Sequence, residues 1–486
     1  MGIRGAVATP HLSATRAGEH ALAEGGSAVD AAIVAAAVLA VVAPDQCGLG
    51  GDAVALVGHG AGDVTCFQGA GRAAHGVDVE QVRRAGSGTM PVFGPHAVTV
   101  PGAVSTWAAM HRHAGRLPWD ALFEPAREAA EDGFAVGARL HRAIEESQDR
   151  ILADPGLRAL LLAEDHPLAT GARLRQPELA ATLASIAEDG AATAYGGKVA
   201  DRLVAFLQAA GSALSRADFR QHRCETGAPL ECVWSGHRLW TAPPPSQGLV
   251  LFRILAAMDQ ADDDHEWLGR DAGQLAAAFA EATQFRETHL ADPAGAGPPN
   301  GDTVAVVAAD AAGEFVSLIF SLFYRFGAGL RDPRTGVIFH NRGAGFTVDQ
   351  GAPNCLAPGR RPPHSLMPLL VADEHGLLGA HGTMGGYGQP QIHAQLLLRL
   401  SGGMGPQEAV AAPRFVVGRP DDGGPLRVAV EASVPDSSVA ALRRSGLPVE
   451  RCADGDSEVG HAQLVRRLPD GRLDIGTDPR ADGRHL

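Results

Sequence analysis

The sequence predicts a layered α/β fold in which a helix-rich first part and a strand-rich second part share one core. Three features carry this expectation. The chain has 486 residues, more than the roughly 250–300 that one small core holds. An apolar run over residues 31–43 sits directly behind a helix-start signal, and two short Val/Phe/Ile-rich segments follow a Gly/Pro-rich stretch near residue 300. Length alone leaves two domains or one large core open.

Ser27 and Asp30 form an S-x-x-D capping box ahead of the apolar run, so a helix begins there. It is apolar on all sides and is therefore expected to be buried. The helix ends in a loop at residues 44–52. Residues 103–211 read as largely helical, with periodic Leu and Ala in segments such as 157–163 and 179–188. The segment 241–248, TAPPPSQG, is an ordered loop, because consecutive prolines remove donors and fix φ. A further helix spans about 274–289. Residues 292–302, DPAGAGPPNGD, read as an exposed mobile connection where cleavage would be tolerated. Strands are then expected at 304–308 and 315–320 as a hairpin, and at 368–372 and 377–380 around a turn at 373–376.

Composition narrows the partners. With 45% hydrophobic and 20% charged residues the chain is globular and water-compatible. A net charge of −14 opposes nucleic acid or anionic membrane as general partners and favours a small molecule. The six cysteines contain no C-x-x-C pair, which excludes a zinc ribbon or redox dithiol of that pattern and fits a reduced, cytoplasmic setting. The 31–43 run falls short of the roughly 20 residues a membrane span needs, and Asp30 precedes it where a signal peptide would carry positive charge. Neither a G-x-S-x-G elbow, an H-E-x-x-H helix nor a G-x-x-x-x-G-K-[ST] loop is present. Glycine-rich pieces at 48–53 and 58–63 loosely resemble a dinucleotide fingerprint, but the first follows a helix where a strand is required.

What remains is Thr303, where the Gly/Pro stretch meets a strand. A hairpin turn centred on Ala312 puts Thr303 opposite Ser321, with both side chains on one face. A hydroxyl facing a hydroxyl could orient or polarise it, or could be a plain cross-strand pair worth a few tenths of a kcal/mol.

These residues carry a resemblance that covers nearly the whole chain. VATPHLSATRAG (7–18), the glycine-flanked helix at 25–51, VPGAVSTW (100–107), APPPSQGL (242–249), GDTVAVV (301–307), APNCLAPGRRPPHSLMP (352–368), TMGG (383–386) and DPRADG (478–483) together resemble the γ-glutamyltransferase family of N-terminal-nucleophile hydrolases. The resemblance implies a four-layer αββα sandwich formed jointly by both halves of the chain. It implies cleavage between Asp302 and Thr303, giving a first subunit of residues 1–302 and a second of 303–486, with Thr303 as nucleophile. Once N-terminal, Thr303 has an α-amine, a group with a reference pKa of about 7.7–8.0, that can serve as its own general base. Backbone N–H groups of Gly385 and Gly386 resemble the family's oxyanion hole, although the pair could also be a simple turn. Neither metal nor organic cofactor is implied. The expected partners are a small-molecule amide and the sister subunit of the same precursor, with a homodimer of processed units as a further possibility.

The chain departs from the members that recognise glutathione. Their substrate-binding Arg position falls on Gln68, with Arg72 close by, and the Asn, Glu/Gln and Asp positions fall on Phe323, Arg342 and Gly345. The serine pair becomes His364–Ser365. An α-ammonium would lack its partners and be repelled by Arg342. Arg342, Arg72 and His364 are therefore expected to clamp a carboxylate-bearing acyl group that lacks the glutamyl α-amine; otherwise Arg342 pairs with an internal acid. HNRGAGF (340–346) is similar to subfamilies acting on oxamate or cephalosporin side chains. The alternatives are a genuine γ-glutamyl enzyme, a C–C bond hydrolase of a natural-product pathway, and an uncleaved, non-catalytic relative.

Overall fold

Ser27 and Asp30 close the expected box: the Ser27 hydroxyl accepts from the Asp30 amide, and the Asp30 carboxylate accepts from the Ser27 amide at 2.9 Å. The helix they start is Ala28–Val42, and every residue of it is buried. This is seen in a computed structural model that describes residues 5–60, 62–260, 265–290, 302–420 and 424–482. The connection expected at 292–302 lies outside the described residues apart from Asp302, whose backbone opens a strand.

Two six-stranded antiparallel sheets are built from strands that we number β1 Gly5–Ala8, β2 Asp52–His59, β3 Asp63–Gln68, β4 Glu225–Gly227, β5 Leu230–Trp234, β6 His237–Thr241, β7 Asp302–Asp310, β8 Glu314–Phe323, β9 Leu369–Asp373, β10 Gly376–Met384, β11 His461–Arg467 and β12 Leu473–Thr477. The first sheet runs β1-β7-β8-β2-β3-β4 and the second β12-β11-β10-β9-β6-β5. Both expected hairpins, β7–β8 and β9–β10, are present. Each sheet combines strands from before and after Thr303. The layered core is therefore formed jointly by both parts of the chain, as expected, with the first part supplying β1 to β6 as well as most of the helices.

The faces of β7 show how the layers form. Val304, Val306 and Ala308 point to the core around helix α1 (Leu12–Ala23), helix α2 (Ala28–Val42) and helix α3 (Ala103–Ala114). Ala305, Val307 and Ala309 point the other way, into a core between the sheets with Val54, Ile319, Leu370 and Ala380. On the far side, Leu239, Leu369 and Val371 pack on α4 (Gly248–Asp259), α5 (Ala272–His289) and α6 (Gln389–Ser401). The result is four layers, helix, sheet, sheet, helix, with small aliphatic side chains between the sheets. No helix among the described residues is long and apolar enough to cross a membrane. All six cysteines are free.

Candidate active site

Thr303 is fully buried, and its hydroxyl donates to Ser321 Oγ at 3.1 Å. The expected facing pair thus forms, but across an irregular register. Asp302 pairs with Phe323 and Val304 with Phe320, so Ser321 and Leu322 together oppose Thr303 in a β-bulge. The bulge ends on Phe323, which has φ 81°, a left-handed conformation rare for a bulky residue and a form of strain that collects at functional sites. In this conformation the Phe323 amide donates to Ser321 Oγ at 2.7 Å. Ser321 is thereby held with its oxygen toward Thr303.

Arg342 is buried on a short 3₁₀ turn, Arg342–Gly345. Its guanidinium lies 3.9 Å over the Phe323 ring and donates to Ser365 Oγ at 3.1 Å. A cation on an aromatic face, desolvated as here, gains on the order of 2 kcal/mol. Phe323, Arg342 and Ser365 therefore form one cluster next to the Thr303–Ser321 pair.

His364 does something else. Its Nε2 is 3.2 Å from Asp52 Oδ2 and its Nδ1 accepts from the Leu366 amide at 3.4 Å, so the proton sits on Nε2. Burial, with Arg342 nearby, pushes His364 down to about 3. The Nε2 proton is already committed to Asp52, so the structure does not offer His364 to the expected carboxylate clamp. Asp52, opposite Ser321 in the β2–β8 pairing, also accepts from the Gly71 amide at 3.3 Å, and His340 Nδ1 is 3.5 Å from it. Burial works to raise the Asp52 carboxyl, but His340, the hydrogen bond from His364 and Arg342 outweigh it and hold it well below the usual carboxylate range. A buried anion thus stands beside the buried Arg342. It was not identified from the sequence, where Asp52 closes the GLGGD piece that resembled a nucleotide loop.

Arg72 is not brought into this cluster either. Its half-exposed guanidinium pairs with Glu225 at 2.9 Å and donates to the Gly359 carbonyl at 3.2 Å. The expected three-residue clamp is thus divided among three different partners. Gln68 is also engaged, donating to the Pro243 carbonyl at 3.0 Å.

Gly385 and Gly386 follow β10 directly, with φ of 145° and 51° that a side chain rarely adopts. Across the sandwich, Ser317 donates to the His381 carbonyl at 2.7 Å, and a Cβ on Gly382 would lie 2.7 Å from that of Ala305. β10 therefore runs toward the Thr303 end of β7 as it approaches Gly385. A second link comes from Gln247, in the proline-rich loop, whose amide donates at 2.8 Å both to the Ser365 carbonyl and to the Gly386 carbonyl. Gln247 is a site residue that the motif APPPSQGL contained but did not single out. Among the described residues, no group of three His, Cys, Asp or Glu side chains is placed to hold a metal ion.

Two facing sheets between helical layers, with a buried threonine entering strand β7 beside the edge strand β1, give the layered sandwich of the N-terminal-nucleophile hydrolases. The same architecture is found in the solved structure of a cephalosporin acylase from Bacillus halodurans, with a TM-score of 0.90 at 31% identity over 99% of this chain and 95% of that one. The gamma-glutamyltranspeptidase family model matches residues 14–297 and 270–486, and the chain belongs to that family. It is 35% identical to a glutathione hydrolase-like proenzyme of Bacillus subtilis and 34% identical to an oxamate amidohydrolase proenzyme of Klebsiella pneumoniae, covering 99% of this chain and 98% of each relative. The chain is thus an enzyme of the hydrolytic and acyl-transferring kind that defines the family.

Proposed function

We propose that the chain is a precursor that cleaves itself between Asp302 and Thr303 and then uses the new N-terminal threonine to hydrolyse or transfer the acyl group of a small-molecule amide. The observation that carries this reading is the buried hydrogen bond from the Thr303 hydroxyl to Ser321. In processing, Thr303 Oγ attacks the Asp302 carbonyl carbon. The C–N bond breaks, the amide nitrogen becomes a free amine, and water opens the ester to leave residues 1–302 and 303–486 as two subunits. In turnover the same oxygen attacks the substrate carbonyl and passes its proton through the α-amine to the departing amine. Water or an acceptor amine then releases the acyl group. The Gly385 and Gly386 amides, which donate to no partner among the described residues, are the groups offered to the oxyanion, a role worth roughly 3–4 kcal/mol per donor. The free cysteines fit a cytoplasmic setting.

For the acyl group, Arg342 and Ser365 replace the wider clamp expected from the sequence. A carboxylate at the end of an oxalyl, succinyl or glutaryl group would take the bidentate face of Arg342. A glutamyl α-ammonium would meet that cation unpaired, a cost of several kcal/mol and roughly a thousandfold in specificity. The naming of one relative for oxamate supports the same direction. A panel of dicarboxylic monoamides against glutathione tests the reading. The monoamides should be preferred, and Arg342→Gln should raise their KM with little effect on processing. Glutathione turned over with a kcat/KM equal to that of the best monoamide would overturn it.

A further inference from the structure

A cavity of about 500 Å³ opens between helix α3, the turn Thr193–Gly196 and the chain at 220–224. Arg112, Arg220 and Arg223 line it, and no carboxylate does. Among the described residues Arg112 and Arg220 have neither a hydrogen bond nor an ion pair from their side chains. That is notable in a chain with net charge −14, where an exposed arginine readily finds an acid. The adjoining cavity of about 280 Å³ provides the contrast. It shares His222 and Arg223, but its Arg72 is matched by Glu225 and its His75 by Asp218. Of these two cavities, the larger alone has no carboxylate in its lining.

Its walls are fixed in advance. The Ser105 amide donates to the Tyr195 hydroxyl at 2.9 Å, Ser105 Oγ lies 2.9 Å from His222 Nε2, and Tyr195 stacks on His222 at 5.1 Å. Arg223 is braced on the carbonyls of Arg220 and His222 at 2.6 Å. A ligand there meets a pre-ordered surface and loses little to ordering it. We infer that this cavity binds a small organic polyanion, a molecule with two or more carboxylates or a phosphate, through the guanidinium groups of Arg112 and Arg220. Burial pushes His222 down to about 4, so at neutral pH the positive charge comes from arginine alone.

Titration calorimetry with citrate and with inorganic phosphate, on wild type and on Arg112→Gln/Arg220→Gln, tests the site without reference to amide cleavage. The wild type should bind one of the two anions more weakly as salt is raised, and the double variant should bind it at least about tenfold more weakly while keeping wild-type processing and turnover. Citrate binding with phosphate inert marks a polycarboxylate site, and the reverse marks a phosphate site. Equal affinity in wild type and variant, or no binding of either anion at millimolar concentration, would overturn the inference.

Discussion

Ser321 accepts the Thr303 hydroxyl at 3.1 Å and the Phe323 amide at 2.7 Å, so one side chain both orients the proposed nucleophile and satisfies the backbone of a left-handed residue. Ser321→Ala should slow processing and turnover together and, by leaving a buried amide without that acceptor, lower stability by about 1–3 kcal/mol. Rates measured on purified precursor alongside a denaturant titration separate the two effects, and unchanged rates would reduce Ser321 to a structural pair. The facing of Thr303 and Ser321 was legible from the hairpin because the turn position alone sets which residues meet. The roles of His364 and Asp52 were not. They lie 312 positions apart, and no local pattern connects a histidine to an aspartate at that distance. Arg72 was misplaced for the same reason: its partner Glu225 lies 153 positions away.

Among the elements, those with punctuation in the sequence were legible. The capping box fixed the start of α2, the turn residues fixed both hairpins, and the consecutive prolines fixed the loop before α4. β2 was missed because it is buried on both faces almost to its end, so DAVALVGH shows no alternation to mark a strand. Gly58 to Asp63, read as a glycine-rich piece, spans the end of β2, the connection and the first residue of β3. The proline-rich loop was correctly read as ordered, but its use became visible only with Gln247 tying Ser365 to Gly386. A segment that joins two others in space carries no periodicity of its own.

For the whole molecule, both sheets are mixed from residues on either side of Thr303, so the two proposed subunits would stay joined by strand pairing after cleavage. The four-layer order came from the family resemblance, since composition gives layers but not their number. Buried histidines set the acid response. Burial holds His364 and His393 down to about 3 and His222 and His461 down to about 4. Below the ordinary value near 6.5 the unfolded chain therefore takes up protons that the folded one refuses, each site costing up to about 1.4 kcal/mol per pH unit. Glu314, pushed up to about 7 by burial, acts in the opposite sense: its contribution is present at low pH and fades as pH rises through 7. Burial also lowers His340 and His381, and although Asp154 and Asp259 are raised in the same sense as Glu314, the lowered histidines outnumber the raised carboxyls; denaturant midpoints should therefore fall from pH 6.5 to 4.5, and a flat profile would contradict the burial of these rings. The central claim is the chemistry at Thr303, and N-terminal sequencing of the purified wild-type protein after a denaturing gel addresses it most directly. Two fragments are predicted, the smaller beginning at Thr303, with Thr303→Ala remaining one chain. A wild-type protein that is fully active as a single uncleaved chain would contradict it.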